Sequence, residues 1–129
     1  MKSLLKRCLV TLVIFTVSCK KDSLINSLNG TWKQTEYYMS IGGPGSWKQV
    51  DKKSNYYVQI NKDGTLAGNS YSDYKTYTIK DSTIVTFYKP DGTFENYYYT
   101  ITNNVLTLSP AGPIICIEGC GNRFTKISN

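Results

Sequence analysis

The chain has 129 residues, of which 40% are hydrophobic, with 15 Lys and Arg against 9 Asp and Glu and no His. This length allows one domain, and this apolar share is that of a globular protein. The absence of His excludes Ser-His-Asp and Cys-His nucleophile pairs, imidazole acid–base catalysis and His-ligated metal sites.

The first eighteen residues have the organisation of a secretory signal peptide. A basic start with Lys2, Lys6 and Arg7 precedes an apolar run over residues 9–17. The run is shorter than the twenty or so residues needed to span a bilayer, but it fits the apolar centre of a signal sequence. A plain secretory cleavage site and an uncleaved anchor are the alternatives.

The apolar run ends at Ser18-Cys19, and polar residues follow. A small residue directly before a Cys resembles the lipobox of bacterial lipoproteins, in which cleavage makes the Cys the lipidated first residue. The resemblance implies a signal peptide over residues 1–18, an acyl anchor such as palmitate on Cys19 and a tether over residues 19–27. It implies a lipid-anchored protein of the bacterial cell envelope, with the outer membrane as the expected membrane.

Cleavage of the signal would lower the net charge from +6 to +3, because three cations leave with it. So small an excess, with no basic stripe, gives no support to nucleic-acid binding.

Residues 28–129 are predicted to form one all-β domain. Tyr, Val, Ile and Thr are abundant, and turn signals recur every eight to twelve residues. The segments 61–65 and 89–93 are near-copies that contain Asp-Gly-Thr, a sequence that closes β-hairpins. Asp81-Ser82 and Asn103-Asn104 are further turns, and residues 42–45 form a longer irregular loop.

Eight strands fit between these turns, at residues 31–40, 55–61, 65–70, 73–80, 83–89, 93–101, 104–109 and 122–127. Alternation places Tyr77 with Ile79, Val85 with Phe87, Tyr97 with Tyr99 and Ile101, and Leu106 with Leu108 on one face. An antiparallel up-and-down barrel removes the exposed edges of such a sheet, and a two-sheet sandwich is the alternative.

Gly30-Thr31-Trp32 opens the first predicted strand, and Arg123 lies in the last. Together with the lipobox, these residues resemble the short lipocalin-like domain of bacterial lipoproteins. In lipocalins, the Trp closes one end of an eight-stranded barrel and an Arg from the last strand packs across it. The resemblance therefore implies an eight-stranded lipocalin-like barrel in which Trp32 and Arg123 form a structural closure rather than a ligand contact.

Cys116 and Cys120 remain once Cys19 is assigned to lipid, and in an exported protein they predict a disulfide. Paired free thiols and a redox or metal role are the alternatives. Among the carboxylates, Glu36 alternates with Trp32 and would point into the barrel, but a register slip of one residue exposes it to solvent, and we favour that reading. No constellation of carboxylates or thiols suits catalysis, so we expect neither an enzyme nor a cofactor or metal.

The leading functional hypothesis is a membrane-anchored barrel that binds a small, partly apolar ligand at its mouth. Tyr77, Phe87, Tyr97 and Tyr99 are the candidate lining, although ordinary core packing also explains them.

The alternative hypothesis is a filled barrel that contacts another protein of the cell envelope. Its candidate surface is the loop over residues 41–53, which has no strand pattern and contains Trp47 as a partner-binding residue. Glycan binding through exposed tyrosines is a third hypothesis with less support from the sequence.

Overall fold

The computed structural model describes Ile25, residues 27–117 and residues 119–129. The predicted signal peptide over residues 1–18 and the predicted lipidation site Cys19 lie outside the described residues. Within them, no helix is both long enough and apolar enough to cross a membrane.

The protein is all-β, as predicted, and its strands form one antiparallel sheet. In chain order these are β1 (Gly30–Met39), β2 (Ser46–Gln49), β3 (Tyr57–Ile60), β4 (Leu66–Gly68), β5 (Thr76–Ile79), β6 (Ile84–Tyr88), β7 (Phe94–Thr102), β8 (Val105–Gly112) and β9 (Gly121–Ser128). Eight of them follow the order β4-β3-β1-β9-β8-β7-β6-β5, and β2 pairs with the second half of β1.

The sheet curls into a nearly closed barrel because its two edge strands meet. Thr65 and Thr76 form a bridge between the β4 and β5 edges. Beside it, the Leu66 amide donates to the Lys75 carbonyl at 2.8 Å and the Tyr77 amide to the Gly64 carbonyl at 2.9 Å. The predicted up-and-down barrel is thus confirmed in preference to a sandwich.

The antiparallel order gives the barrel two distinct ends. The lower end holds the start of β1 and the turns after β3, β5 and β7. The upper end holds the tip of the β1–β2 hairpin, the connection over residues 69–75, the turn over 89–93 and the disulfide loop (residues 113–117 and 119–120).

Three turns repeat one hydrogen-bonded unit, Asp-x-Thr. Asp63, Asp81 and Asp91 each accept hydrogen bonds from the amide and the hydroxyl of the Thr two residues later. These bonds hold the pKa of each of the three carboxyl groups below its usual value. The Asn103-Asn104 turn is also confirmed, because both residues have the positive φ that such a turn requires.

Two segments differ from the sequence prediction. Part of the loop expected over residues 41–53 forms β2, whose pairing with β1 sets Trp47 opposite Tyr38. The strand expected over residues 73–80 begins only at Thr76, because the preceding residues cross the upper end of the barrel instead of extending the sheet.

The inward faces of the strands form one core. Trp32, Val85, Phe87 and Phe124 are fully buried there. The residue pairs predicted to share a face are buried together, with Ile101 partly exposed at the margin of the core.

Gly30 begins β1 with a φ of 134°, and a Cβ at this position would collide with the carbonyl oxygen of Ser128. Only Gly allows this close approach of β1 to β9 immediately before Trp32.

Candidate functional site

An aromatic cluster fills the interior of the barrel. Tyr71, from the connection over residues 69–75, lies with its ring centroid 5.4 Å from that of Phe87, 5.3 Å from Tyr97 and 6.1 Å from Phe124. Burial raises the pKa of Tyr71 to about 12. The upper end of the barrel is therefore filled by a side chain of its own connecting segment.

The four residues proposed as ligand lining, Tyr77, Phe87, Tyr97 and Tyr99, all point inward and are at most 7% exposed. The hydroxyl of Tyr77 donates to the Asn61 carbonyl at 2.8 Å, and that of Tyr99 donates to the Asp81 carbonyl at 3.2 Å. Burial raises the pKa of Tyr77, Tyr97 and Tyr99. These side chains are core residues, two of which also hold turns at the lower end.

Trp32 is fully buried at the lower end, and its indole N–H donates to the Leu28 carbonyl at 2.8 Å. The cation over its ring is Lys126, whose Nζ lies 5.0 Å from the centroid. Arg123 lies instead over the ring of Trp47, with Cζ 3.8 Å from the centroid. The structure thus corrects the expected packing of Arg123 across Trp32.

The physical reason is strand alternation. Phe124 occupies the core, so its neighbour Arg123 points to the outer face of β9, and Lys126 points to the same side as Phe124. Trp32 points inward and faces Lys126 directly in the register of β1 and β9.

Arg123 and Trp47 belong to a cluster on the outer face that fixes the β1–β2 hairpin. Arg123 Nη1 lies 3.0 Å from Glu36 Oε2, and Glu36 Oε1 accepts a hydrogen bond from Gln49 at 2.6 Å. Trp47 packs edge-on against Tyr38 at 5.4 Å. The structure corrects two expectations: Trp47 lies in a strand rather than in an irregular loop, and Glu36 is half-buried and paired rather than solvated.

Exposed apolar side chains gather beside this hairpin at the upper end. Met39 is 41% exposed, Ile41 86%, Ile115 83% and Ile117 93%, and we call these four residues the upper apolar surface. A surface cavity of about 520 Å³ separates the hairpin from the disulfide loop and is lined by Met39, Ile115 and Ile117.

The disulfide loop is held at both of its ends. Cys116 and Cys120 lie at disulfide distance with Cα atoms 5.9 Å apart, which confirms the predicted pairing. The buried carboxylate of Glu95 accepts the Ile114 amide at 2.9 Å. Gly119 has a φ of 77° and lies so close to Tyr38 that a Cβ would approach the ring at 2.8 Å.

A second cavity of about 560 Å³ opens at the barrel mouth, where β1 leaves β3 and pairs with β2. Its lining is polar and aromatic: Gln34, Tyr37, Gln49, Val50, Asp51, Ser54, Tyr56, Asn69 and Ser70. We call it the mouth cavity. Its floor continues into a polar chain, because Gln34 donates to Asn122 at 2.8 Å and Asn122 donates to the Tyr71 hydroxyl at 3.2 Å.

Sequence reasoning missed Glu95 and Tyr71. Glu95 lies two residues before Tyr97 on the inward face of β7, so the alternation of that strand contained the signal. Tyr71 lies in an irregular connection, where no periodicity indicates the direction of a side chain.

Comparison with family models, with curated proteins and with solved structures found no match for this chain.

Proposed function

We propose that this chain is a lipid-anchored, lipocalin-like envelope protein that binds a partner protein through the upper apolar surface. The observation that carries the proposal is the exposure of Met39, Ile41, Ile115 and Ile117, which belong to the β1–β2 hairpin and to the disulfide loop on the two sides of one cavity. Contiguous exposed apolar side chains of this kind mark sites of protein or membrane contact.

The filled interior favours this function over an apolar ligand inside the barrel. A ligand pocket has a volume of roughly 300 Å³ or more. The corresponding interior space is occupied by Tyr71, whose ring contacts Phe87, Tyr97 and Phe124.

The position of the tether favours a protein over the anchoring bilayer as the partner. Ile25 packs against the core near the lower end, where it lines a cavity with Gly64 and Tyr77. From an acylated Cys19, the six residues to Ile25 extend at most about 21 Å, whereas the ten residues of β1 span about 30 Å. A lipid at Cys19 thus keeps the lower end beside the membrane and directs the upper end away from it.

The test uses the full-length chain in the cells that produce it, with a photoreactive amino acid at position 41. We expect one adduct of defined mass, and we expect the double substitution Ile115→Ser and Ile117→Ser to abolish it. The control is Ile127→Ser, because Ile127 is 60% exposed but lies at the end of β9, at the lower end.

Three results would count against the proposal. They are an adduct that persists in the Ile115→Ser and Ile117→Ser variant, an adduct with lipid alone, and an adduct with twice the mass of the chain. The last would assign the surface to self-association, which sedimentation of the same sample would verify.

A further inference from the structure

The mouth cavity is lined by hydrogen-bonding groups that have no partner among the described residues and that do not belong to the upper apolar surface. We propose that it binds a neutral saccharide, with a pyranose ring against Tyr56 or Tyr37 and its hydroxyl groups on the surrounding polar side chains. The proposal is independent of the function proposed above, because the mouth cavity and the upper apolar surface share no lining residue.

Two partly exposed rings supply the apolar contact. Tyr37 is 36% exposed and Tyr56 is 50% exposed, and both line the mouth cavity. A tyrosine offers apolar area with a polar handle, and a pyranose offers a C–H face with hydroxyl groups around its edge. The apolar face of the tyrosine ring therefore suits the C–H face of the pyranose, and the polar groups of the two can meet at their edges.

The polar lining has capacity left for hydrogen bonds, and part of it consists of acceptors. Gln34 and Gln49 each donate one amide N–H, to Asn122 and Glu36, and no described residue donates to their carbonyl oxygens. Asp51 accepts the Lys53 amide at 2.9 Å through one oxygen, so its second oxygen faces no described donor. Acceptors of this kind favour a ligand that donates several hydrogen bonds, as sugar hydroxyl groups do.

Ser70 gives a second, independent indication. Its hydroxyl is buried and has no hydrogen-bond partner among the described residues, although Ser70 forms part of the cavity wall. A buried hydroxyl without a partner is unfavourable, so a ligand that reaches it would satisfy a group that the protein alone does not.

Charge argues for a neutral ligand. Among the described residues, the lining contains the carboxylate of Asp51 and neither Lys nor Arg, so none of them offers a cation to an anion such as phosphate. Two aromatic rings beside one carboxylate also resemble part of a binding site for a quaternary ammonium ion. Choline is therefore the probe that distinguishes such a site from a saccharide site.

The experiment is ligand-observed saturation-transfer NMR on the full chain in lipid nanodiscs, which avoids sugar-based detergents. The probes are cellobiose and di-N-acetylchitobiose, which distinguish plain from N-acetylated, cell-wall-type sugars, with choline chloride and inorganic phosphate as controls. We expect saturable transfer to one disaccharide and to neither control. We expect Asp51→Asn to weaken binding about tenfold, the loss of one charge-assisted hydrogen bond, while its remaining carbonyl still accepts the Lys53 amide.

Two further variants separate binding from folding. Tyr56→Ala should weaken the same disaccharide, whereas Tyr98→Ala should not, because Tyr98 is 55% exposed on the outer face of β7. Ser70→Ala should weaken binding without lowering the melting temperature, because its hydroxyl makes no hydrogen bond with any described residue that unfolding would break. Absence of saturable transfer, insensitivity to Asp51→Asn and Tyr56→Ala, or binding of choline or phosphate alone would each overturn the proposal.

Discussion

The role of Arg123 depends on which face of β9 its side chain occupies. The resemblance to lipocalins predicted a contact with Trp32, but the inward neighbour Phe124 places Arg123 on the outer face, against Trp47 and Glu36. The sequence contained this information, since an apolar Phe124 and an inward-pointing Trp32 already determine the parity of both strands.

A double-mutant cycle distinguishes the two pairings. We expect Arg123→Ala and Trp47→Ala to show a coupling energy of about 0.5–1 kcal/mol, because a partly exposed guanidinium stacks on the indole. The cycle between Arg123→Ala and Trp32→Ala should give a coupling close to zero. Urea unfolding of the three single variants, the two double variants and the wild type measures both values, and the reverse order would contradict the assignment.

The pKa of Tyr71 leads to a prediction for alkaline pH. Its folded value is about 12, above its ordinary value of 10.0, so between these values the folded state keeps a proton that the unfolded chain has released. The free energy of unfolding should be unaffected by this group below pH 10 and then fall by about 1.4 kcal/mol per pH unit up to about pH 12.

Tyr71→Phe tests this, because it removes the titrating hydroxyl and keeps the ring. The loss of stability measured by urea unfolding between about pH 10 and pH 11 should become smaller, though not vanish, since the pKa of Tyr97 is raised as well. Tyr98→Phe is the control, because Tyr98 is exposed. An equal pH dependence in wild type and Tyr71→Phe would show that Tyr71 is not buried.

At the level of elements, the hairpins with local turn chemistry were predictable from the sequence. The Asp-x-Thr turns and the Asn103-Asn104 turn have side chains that bond their own backbone, so short segments determine them. β2 was not predictable, because its four residues have no clear alternation and are held by Trp47 against Tyr38 and Arg123, which lies far along the chain.

Glu95 links the interior of the barrel to the disulfide loop. Its carboxylate is 1% exposed and accepts the Ile114 amide, while the described residues place no cation within salt-bridge distance of it. Buried carboxylates are unfavourable unless their oxygens are bonded, so this contact ties the position of Ile115 and Ile117 to the core.

Glu95→Ala should therefore loosen the loop locally. We expect hydrogen exchange at the Ile114 amide to become faster by about tenfold or more, because the amide loses its acceptor. Glu36→Ala is the matched control, since that carboxylate bonds Arg123 and Gln49 on the outer face. Equal exchange at Ile114 in wild type and Glu95→Ala would refute the coupling.

At the level of the whole molecule, the barrel could be predicted from the number of hairpins and from the alternation of apolar and polar residues in their strands. The same alternation predicted the core, from Tyr77 and Ile79 to Leu106 and Leu108. The filling of the barrel could not be predicted, because Tyr71 reaches the core only once the β4 and β5 edges meet and bring residues 69–75 across the upper end.

The two tryptophans should differ in their contribution to global stability. Trp32→Ala should lower the free energy of unfolding by about 3–5 kcal/mol, as for other fully buried large side chains. The reason is that the neighbouring side chains cannot fill the cavity that the indole leaves. Trp47 is half-buried on the outer face, so Trp47→Ala should cost clearly less. Urea unfolding of both variants measures the difference, and equal costs would contradict the placement of Trp32 in the core.

The barrel is filled by its own side chains, which is the observation on which the proposed surface site depends. Nuclear Overhauser effects between ring protons of Tyr71 and those of Phe87, Tyr97 and Phe124, recorded on the full chain in nanodiscs, test it most directly. Ring centroids 5.3–6.1 Å apart predict strong cross-peaks for all three pairs, unchanged by added palmitate. Missing cross-peaks, or cross-peaks that palmitate removes, would instead show an interior open to an apolar ligand.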